Sequence, residues 1–131
     1  MIVVLVDHNI EGQAALLWST LLTEGWLDLL PLRLVTFTDV NLAITSNDRE
    51  IWQFAQAHTM LLLTANRNMG GVDSLEQTIR EENQATSLPV MTIGNPDRIV
   101  EKTYREQCAT RLAEIGLYLD NDRGAGRLFI P

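Results

Sequence analysis

The amino-acid sequence predicts an α/β protein, a three-layer α/β/α sandwich with a mainly parallel sheet. Residues 2–6 and 60–63 form short, continuous apolar runs, which are typical of strands buried on both faces. Segments with apolar residues at helical spacing lie between these runs. Strands that alternate with helices form βαβ crossovers, and such crossovers place a parallel sheet between two layers of helices.

The first half of the chain predicts two strands around one helix. After the strand at residues 2–6, apolar residues at helical spacing predict a helix over residues 10–24, and Gly25 ends it. The β-branched stretch at residues 32–38 predicts the second strand.

The second half continues the alternation. Asn47 and Glu50 have the spacing of a capping box, which predicts a helix leading to the strand that begins at residue 60. A helix at residues 75–83 and a strand at residues 89–93 follow. The next helix is long, and Gly116 is expected to end it.

The length of 131 residues predicts a single domain, 1–131. Within it, we expect residues 96–131 to form a C-terminal helical extension with a partly flexible tail. Because residues 117–131 include Gly124 and Gly126, this tail is expected to be mobile in part or docked onto a partner, with one or two short extended pieces.

Charge and hydropathy exclude several classes of protein. The net charge of −7 argues against a surface that attracts nucleic acid everywhere. No apolar run approaches the roughly 20 residues that cross a bilayer, and Asp7 interrupts the first run too early for a signal peptide. We therefore expect a cytoplasmic protein without a membrane segment. The single cysteine, Cys108, is expected to be a small buried apolar residue.

Polar side chains follow each of the first three predicted strands. They are Asp7, His8 and Asn9 after the first strand, Asp48 and Glu50 after the second, and Asn66 and Asn68 after the third. Ligands of parallel α/β sheets bind in the crevice outside the carboxyl ends of the strands. A hard cation such as Mg²⁺ or Mn²⁺ takes carboxylate oxygens and water, and Asp7, Asp48 and Glu50 are candidate ligands that Asp73 joins if its loop folds back.

The same residues also have structural interpretations. Asp7 and Asn9 could satisfy backbone donors in a turn and cap the first helix. Capping explains Glu50 fully and Asp48 in part. Asn66 and its neighbours could be loop-forming amides, or could bind a phosphate or carboxylate of a partner.

Three short motifs occur together in this chain. They are Asp7-x-Asn9 after the first strand, Ser-Asn-Asp-Arg-Glu-Ile at 46–51, and Leu-Leu-Thr-x-x-Arg at 62–67. In this combination residues 1–95 resemble the bacterial PIN-like proteins, short relatives of the PIN-domain metal-dependent ribonucleases. Many of those ribonucleases are toxins of toxin–antitoxin pairs.

The resemblance implies an α/β/α fold, a carboxylate cluster that binds Mg²⁺ or Mn²⁺, an RNA substrate and a protein partner such as an antitoxin. By position, Asp7 and either Asp48 or Glu50 match acidic residues of that cluster. The family pattern Thr-x-Asp-Arg-Asp is here Thr-Ala-Asn-Arg-Asn, so the amides of Asn66 and Asn68 replace two carboxylates. His8 stands where related chains usually have Glu. An amide oxygen can ligate a cation but brings no charge.

The residue patterns and the PIN-like resemblance together give two sets of candidate residues. The candidate catalytic residues are Asp7, Asp48, Glu50 and Asn66. The candidate metal ligands are Asp7, Asp48, Glu50, Asn68 and Asp73.

Two functions remain open. The first is a weak or degenerate Mg²⁺- or Mn²⁺-dependent ribonuclease. The second is a catalytically inactive PIN-like module that acts through homodimerisation or a protein partner, which the acidic charge, the two amides and the residues Trp18, Trp26 and Trp52 favour. A nucleotide-binding protein is disfavoured because the first strand–helix turn lacks the glycine fingerprint.

Overall fold

The sheet has five strands, all parallel. The computed structural model describes all residues, Met1–Pro131. The strands are β1 (Ile2–Val6), β2 (Leu32–Val35), β3 (Met60–Thr64), β4 (Val90–Thr92) and β5 (Arg127–Phe129), in the spatial order β2-β1-β3-β4-β5. The carboxyl ends of β1 and β3 therefore lie side by side at the centre of the sheet.

Six α-helices accompany the sheet. They are α1 (Glu11–Thr23), α2 (Trp26–Leu29), α3 (Asp48–Ala57), α4 (Leu75–Glu82), α5 (Lys102–Leu117) and α6 (Leu119–Asp122). Three short 3-10 helices occupy His8–Ile10, Thr38–Val40 and Pro96–Val100. None of the helices combines the length and the apolar composition that a bilayer crossing requires.

Each central strand contributes side chains to both faces of the sheet, because successive residues of a strand point in opposite directions. Val4 and Val6 belong to the larger core cluster, which also contains residues of α1 and α5, whereas Leu5 belongs to a second cluster with residues of α3 and α4. Leu61 and Leu62 divide between the clusters in the same way. The predicted α/β/α sandwich with a parallel sheet is confirmed.

The start of α3 confirms the predicted capping box. The side-chain oxygen of Asn47 accepts a hydrogen bond from the Glu50 main-chain N–H at 2.8 Å, and the Glu50 carboxylate accepts one from the Asn47 N–H at 3.0 Å. Two N–H groups that the helix itself leaves unpaired are thereby satisfied. The end of α1 is also as predicted, because Gly25 follows it with φ +80°.

The second strand is shorter than predicted. It ends at Val35 because Thr36 and Asp39 turn the chain: the Thr36 N–H donates to the Asp39 carboxylate at 2.9 Å, and the Asp39 N–H donates to Thr36 Oγ1 at 3.2 Å. Such local side-chain bonds compete with a strand ladder. The prediction that β-branched residues would extend the strand to residue 38 was wrong.

We expected Gly116 to end α5. The helix instead continues through Gly116 to Leu117. A Cβ atom on Gly116 would stand 2.7 Å from Leu30 Cδ2, so the glycine allows the segment between α2 and β2 to pack closely against the helix. The residue is required by packing rather than by helix termination.

The C-terminal residues, for which we expected a helical extension, a partly flexible tail and one or two short extended pieces, contain α5, α6 and β5. Residues 127–129 form β5 and pair with β4 in parallel register. Ile130 is completely buried, and its carbonyl oxygen accepts a bond from the thiol of Cys108. Burial raises the pKa of this thiol to about 11, and the prediction that Cys108 is buried is confirmed.

Replacement of Gly94 tests how firmly the chain end is held. The Gly94 N–H donates to Pro131 O at 2.8 Å, and a Cβ atom at Gly94 would stand 2.8 Å from the same oxygen. We expect Gly94→Ala to lower the free energy of unfolding by about 1–3 kcal/mol through overpacking, as measured by urea denaturation.

Gly12→Ala is the matched control. No atom lies within 4 Å of a Cβ at Gly12, which is in α1, so this change should raise stability by up to about 1 kcal/mol through helix propensity. Equal stability of Gly94→Ala and the unmodified protein would contradict a fixed chain end.

Candidate functional site

The carboxyl ends of β1 and β3 and the starts of α3 and α4 line a small cavity. Its volume is about 10 Å³, which is close to the space of one water molecule. The lining residues are Asp7, Asp48, Ile51, Leu62, Thr64, Asn66 and Leu75. The structure thus brings together three of the predicted site residues from three separate stretches of the chain: Asp7, Asp48 and Asn66.

Asp7 is fixed at the end of β1 by hydrogen bonds to both carboxylate oxygens. Oδ1 accepts the N–H of Asn9 at 3.2 Å, and Oδ2 accepts the hydroxyl of Thr64 at 2.7 Å. The first bond forms the expected turn and caps the 3-10 helix His8–Ile10, whereas α1 itself has no side-chain cap. Asp7 is half-buried, and these donors replace part of the water around its carboxylate.

Thr64 and Asn66 connect Asp7 to Asp48. Thr64 Oγ1 donates to Asp7 and accepts the main-chain N–H of Asn66 at 3.0 Å. The side-chain amide of Asn66 then donates from Nδ2 to Asp48 Oδ2 at 2.9 Å. The same Asp48 oxygen accepts the main-chain N–H of Leu75 at 3.1 Å, at the start of α4. One continuous chain of hydrogen bonds therefore links β1, β3, α3 and α4.

The other three predicted site residues lie outside the cavity lining. The carboxylate of Glu50 belongs to the capping box, as its structural interpretation proposed. Asn68 is exposed, and its Oδ1 accepts the N–H of Gly70 at 3.0 Å. Asp73 forms an ion pair with Arg49, with 2.9 Å between the carboxylate and Nε.

Arg49 occupies the centre of a separate acidic cluster beside the cavity. Its guanidinium pairs with Asp73, Glu81 and Glu82 and also donates to Val72 O at 2.6 Å. These bonds raise the pKa of Arg49, and the bond to Glu82 has the largest effect. Hydrogen bonds from Gln53 and Arg49 in turn lower the pKa of the Glu82 carboxyl. Arg49 therefore fastens the loop before α4 to the first turn of α3.

The donor atoms around the cavity partly match a divalent cation. Mg²⁺ and Mn²⁺ are held in many sites by one or two carboxylates plus water, and Asp7 and Asp48 supply two carboxylates. Asn66 contributes an N–H donor instead, because its Oδ1 accepts the N–H of Asn68 at 2.8 Å. No group of three or more His, Cys, Asp or Glu side chains has an arrangement suited to a metal ion. The lining therefore supplies two carboxylates, Asp7 and Asp48, and no third ionised ligand.

Two residues of the site were missed by reasoning from the sequence. Thr64 belongs to the Leu-Leu-Thr-x-x-Arg motif, and its hydroxyl at the end of a buried strand is a signal from which its role could be predicted. Arg127 donates to Asn66 O at 2.8 Å, to Thr92 Oγ1 at 2.7 Å and to Glu76 Oε2 at 3.2 Å. Its role had no local signal, because it depends on β5 joining the sheet.

None of the three tryptophans that favoured an interaction surface is exposed. Trp52 is buried between α3 and the sheet, whereas Trp18 and Trp26 are partly buried against the larger core. Trp52 follows Ile51 on the apolar face of α3, and helical periodicity explains its burial.

Comparison with known protein families, with curated proteins and with solved structures produced no match.

Thr64→Val tests the hydrogen-bond chain at its centre. Valine keeps the shape of the side chain but removes the donor to Asp7 and the acceptor of the Asn66 N–H, and Thr64 is 1% exposed. We expect the free energy of unfolding to fall by about 1–3 kcal/mol, measured by chemical denaturation.

Thr38→Val provides the control, since no side-chain hydrogen bond involves the Thr38 hydroxyl in the 3-10 helix Thr38–Val40. If Thr64→Val were as stable as this control, the buried hydroxyl would contribute nothing to the site.

Proposed function

We propose that this chain is a PIN-like domain that binds Mg²⁺ or Mn²⁺ weakly through Asp7 and Asp48 and cleaves RNA phosphodiesters at a low rate. The observation that carries the proposal is the convergence of these two carboxylates, from β1 and α3, on one cavity at the carboxyl ends of the central strands. This is where parallel α/β sheets bind their ligands. The three motifs of the PIN-like resemblance lie on the elements that meet there.

A divalent ion in such a position would lower the pKa of a bound water and stabilise the charge that develops at phosphorus. The roles of the protein groups follow from their contacts. Asp7 and Asp48 would hold the ion, and Thr64 orients Asp7 by its 2.7 Å bond. Arg67 follows Asn66 in an exposed position and forms no salt bridge, so its guanidinium is available to a phosphate of the RNA backbone.

A second candidate is a non-catalytic PIN-like module, and the bond from Asn66 to Asp48 favours it. An amide donor satisfies one oxygen of Asp48 without a cation. Such a module would act by forming a homodimer or by binding a protein such as an antitoxin in the cytoplasm. Leu22 and Leu29 on the adjacent helices α1 and α2 are 66% and 67% exposed, and they offer apolar surface for either contact.

Calorimetric titration with Mn²⁺ tests the first candidate. We expect the unmodified protein to bind one ion with a dissociation constant in the millimolar range or just below it, because only two carboxylates contribute charge. Asp7→Asn removes one of them and should abolish binding. A parallel assay with single-stranded RNA should show Mn²⁺-dependent cleavage that the same substitution removes.

Asp28→Asn is the control for a lost charge, because Asp28 is exposed on α2 and away from the cavity. It should bind Mn²⁺ like the unmodified protein. Flat heats in the unmodified protein, with the fold intact, would overturn the metal-dependent proposal.

Asn66→Asp distinguishes the two candidates more sharply. The substitution removes the donor to Asp48 and places two carboxylates next to each other, so the metal-free protein should lose about 1.5–3 kcal/mol of stability. In exchange a third carboxylate becomes available, and Mn²⁺ affinity should rise about tenfold, which corresponds to about 1.4 kcal/mol.

Thermal unfolding with and without Mn²⁺ measures both effects. If the unmodified protein binds no Mn²⁺ but Asn66→Asp does, the chain is the non-catalytic module with a lost metal site. Asn66→Asp could be as stable as the unmodified protein without Mn²⁺ and gain no stability when Mn²⁺ is added. In that case the cavity is unrelated to a metal site, and both candidate functions lose their basis.

A further inference from the structure

The side chain of Arg127 crosses the sheet from its edge towards the candidate site. Arg127 begins β5, yet its guanidinium contacts Thr92 at the end of β4 and the main-chain oxygen of Asn66, which follows β3. Its side chain is only 11% exposed. A buried guanidinium needs acceptors for its donors, and these come from three different elements.

The acceptors of Arg127 are arranged as part of a ring. Arg127 donates to Asn66 O, the Asn66 amide donates to Asp48, and Asp48 accepts the N–H of Leu75. Glu76, the residue after Leu75, closes the ring, because its Oε2 lies 3.2 Å from Nη2 of Arg127. The ring therefore contains the candidate ligand Asp48 on one side and the C-terminal strand on the other.

We propose that Arg127 is a positioning residue of the site, one that holds Asn66 in the orientation from which its amide meets Asp48. The two contacts to the ring act together. The bond to Asn66 O fixes the main chain of the turn after β3, and the pair with Glu76 fixes the first turn of α4, which carries the N–H that binds Asp48. The C-terminal strand thus becomes part of the site without lining its cavity.

Lysine could not take over this role. Guanidinium nitrogens lie in a planar fork that reaches several acceptors at once, whereas an ammonium is a compact point charge. Arg127 donates from Nη1 to Asn66 O and Thr92 Oγ1, and from Nη2 to the Glu76 carboxylate. Arg127→Lys should therefore keep the charge opposite Glu76 but lose part of the orientation of Asn66.

The side-chain amide signals of Asn66 in a nitrogen–proton correlation spectrum test this role directly in metal-free protein. They are identified by their loss in Asn66→Asp. In Arg127→Gln we expect them to move to the positions of an exposed asparagine, with faster hydrogen exchange of the main-chain amides at residues 65–68. Arg127→Lys should give an intermediate shift.

Tyr104→Phe is the matched control for a loosened C-terminus. The Tyr104 hydroxyl accepts the N–H of Asn95 at 2.9 Å and donates to Pro131 O at 3.0 Å, so its loss weakens the chain end without touching the ring. This variant should be destabilised but should keep the Asn66 signals in place. Signals that stay unchanged in folded Arg127→Gln, or that move equally in Tyr104→Phe, would overturn the proposal.

Glu76→Gln removes the pair with Arg127 from the α4 side and leaves β5 intact, so it serves if Arg127→Gln does not fold. It should shift the Asn66 signals in the same direction by a smaller amount. Unchanged signals in this variant would count against the ring.

One consequence rests on the proposed function. If the site binds Mn²⁺, Arg127→Gln should raise the dissociation constant about tenfold, the lower end of the effect of residues that orient metal ligands. Absence of Mn²⁺ binding in the unmodified protein would remove the metal-dependent function, whereas the Asn66 signals would still decide the positioning role of Arg127.

Discussion

The arrangement of the acidic side chains in the candidate site depends on the hydrogen bond from the Asn66 side-chain amide to Asp48. A carboxylate at position 66 would repel Asp48, and the pair would need a cation between them. The amide instead donates, and it allows Asp48 to lie half-buried with its charge partly compensated by two N–H groups. Through Thr64 the same bond is linked to Asp7. The central strands and helices α3 and α4 thus meet around one hydrogen-bonded polar cluster.

The alternation of elements was predictable from the sequence because buried parallel strands and amphipathic helices have strong local patterns. The run of residues 60–63, the capping box at Asn47 and Glu50, and the stop at Gly25 all correspond to observed elements. Asp7 and Asp48 were also predictable as neighbours, since the rule for strand ends needs only the order of strands. The resemblance to PIN-like proteins itself stays a prediction.

The remaining features depend on contacts between distant residues, which local patterns do not contain. Gly116 resembles a helix stop in the sequence, but the close approach of Leu30 decides its role. Asp73 was a candidate ligand by charge alone, and Arg49, 24 residues earlier, takes it as a partner. A short extended piece was expected within residues 117–131, but the three residues of β5 contain no pattern that places it beside β4 or that reveals the contacts of Arg127.

The buried Cys108 allows the opening of the C-terminal strand β5 to be followed in the native protein. The Cys108 thiol donates to Ile130 O beneath the end of the chain, and it is fully buried with a raised pKa of about 11. Thiol reagents attack the exposed thiolate, so labelling requires that the strand first leave the sheet. Because this is the only cysteine, the rate of alkylation under native conditions reports the opening frequency of the C-terminal segment without any engineered probe.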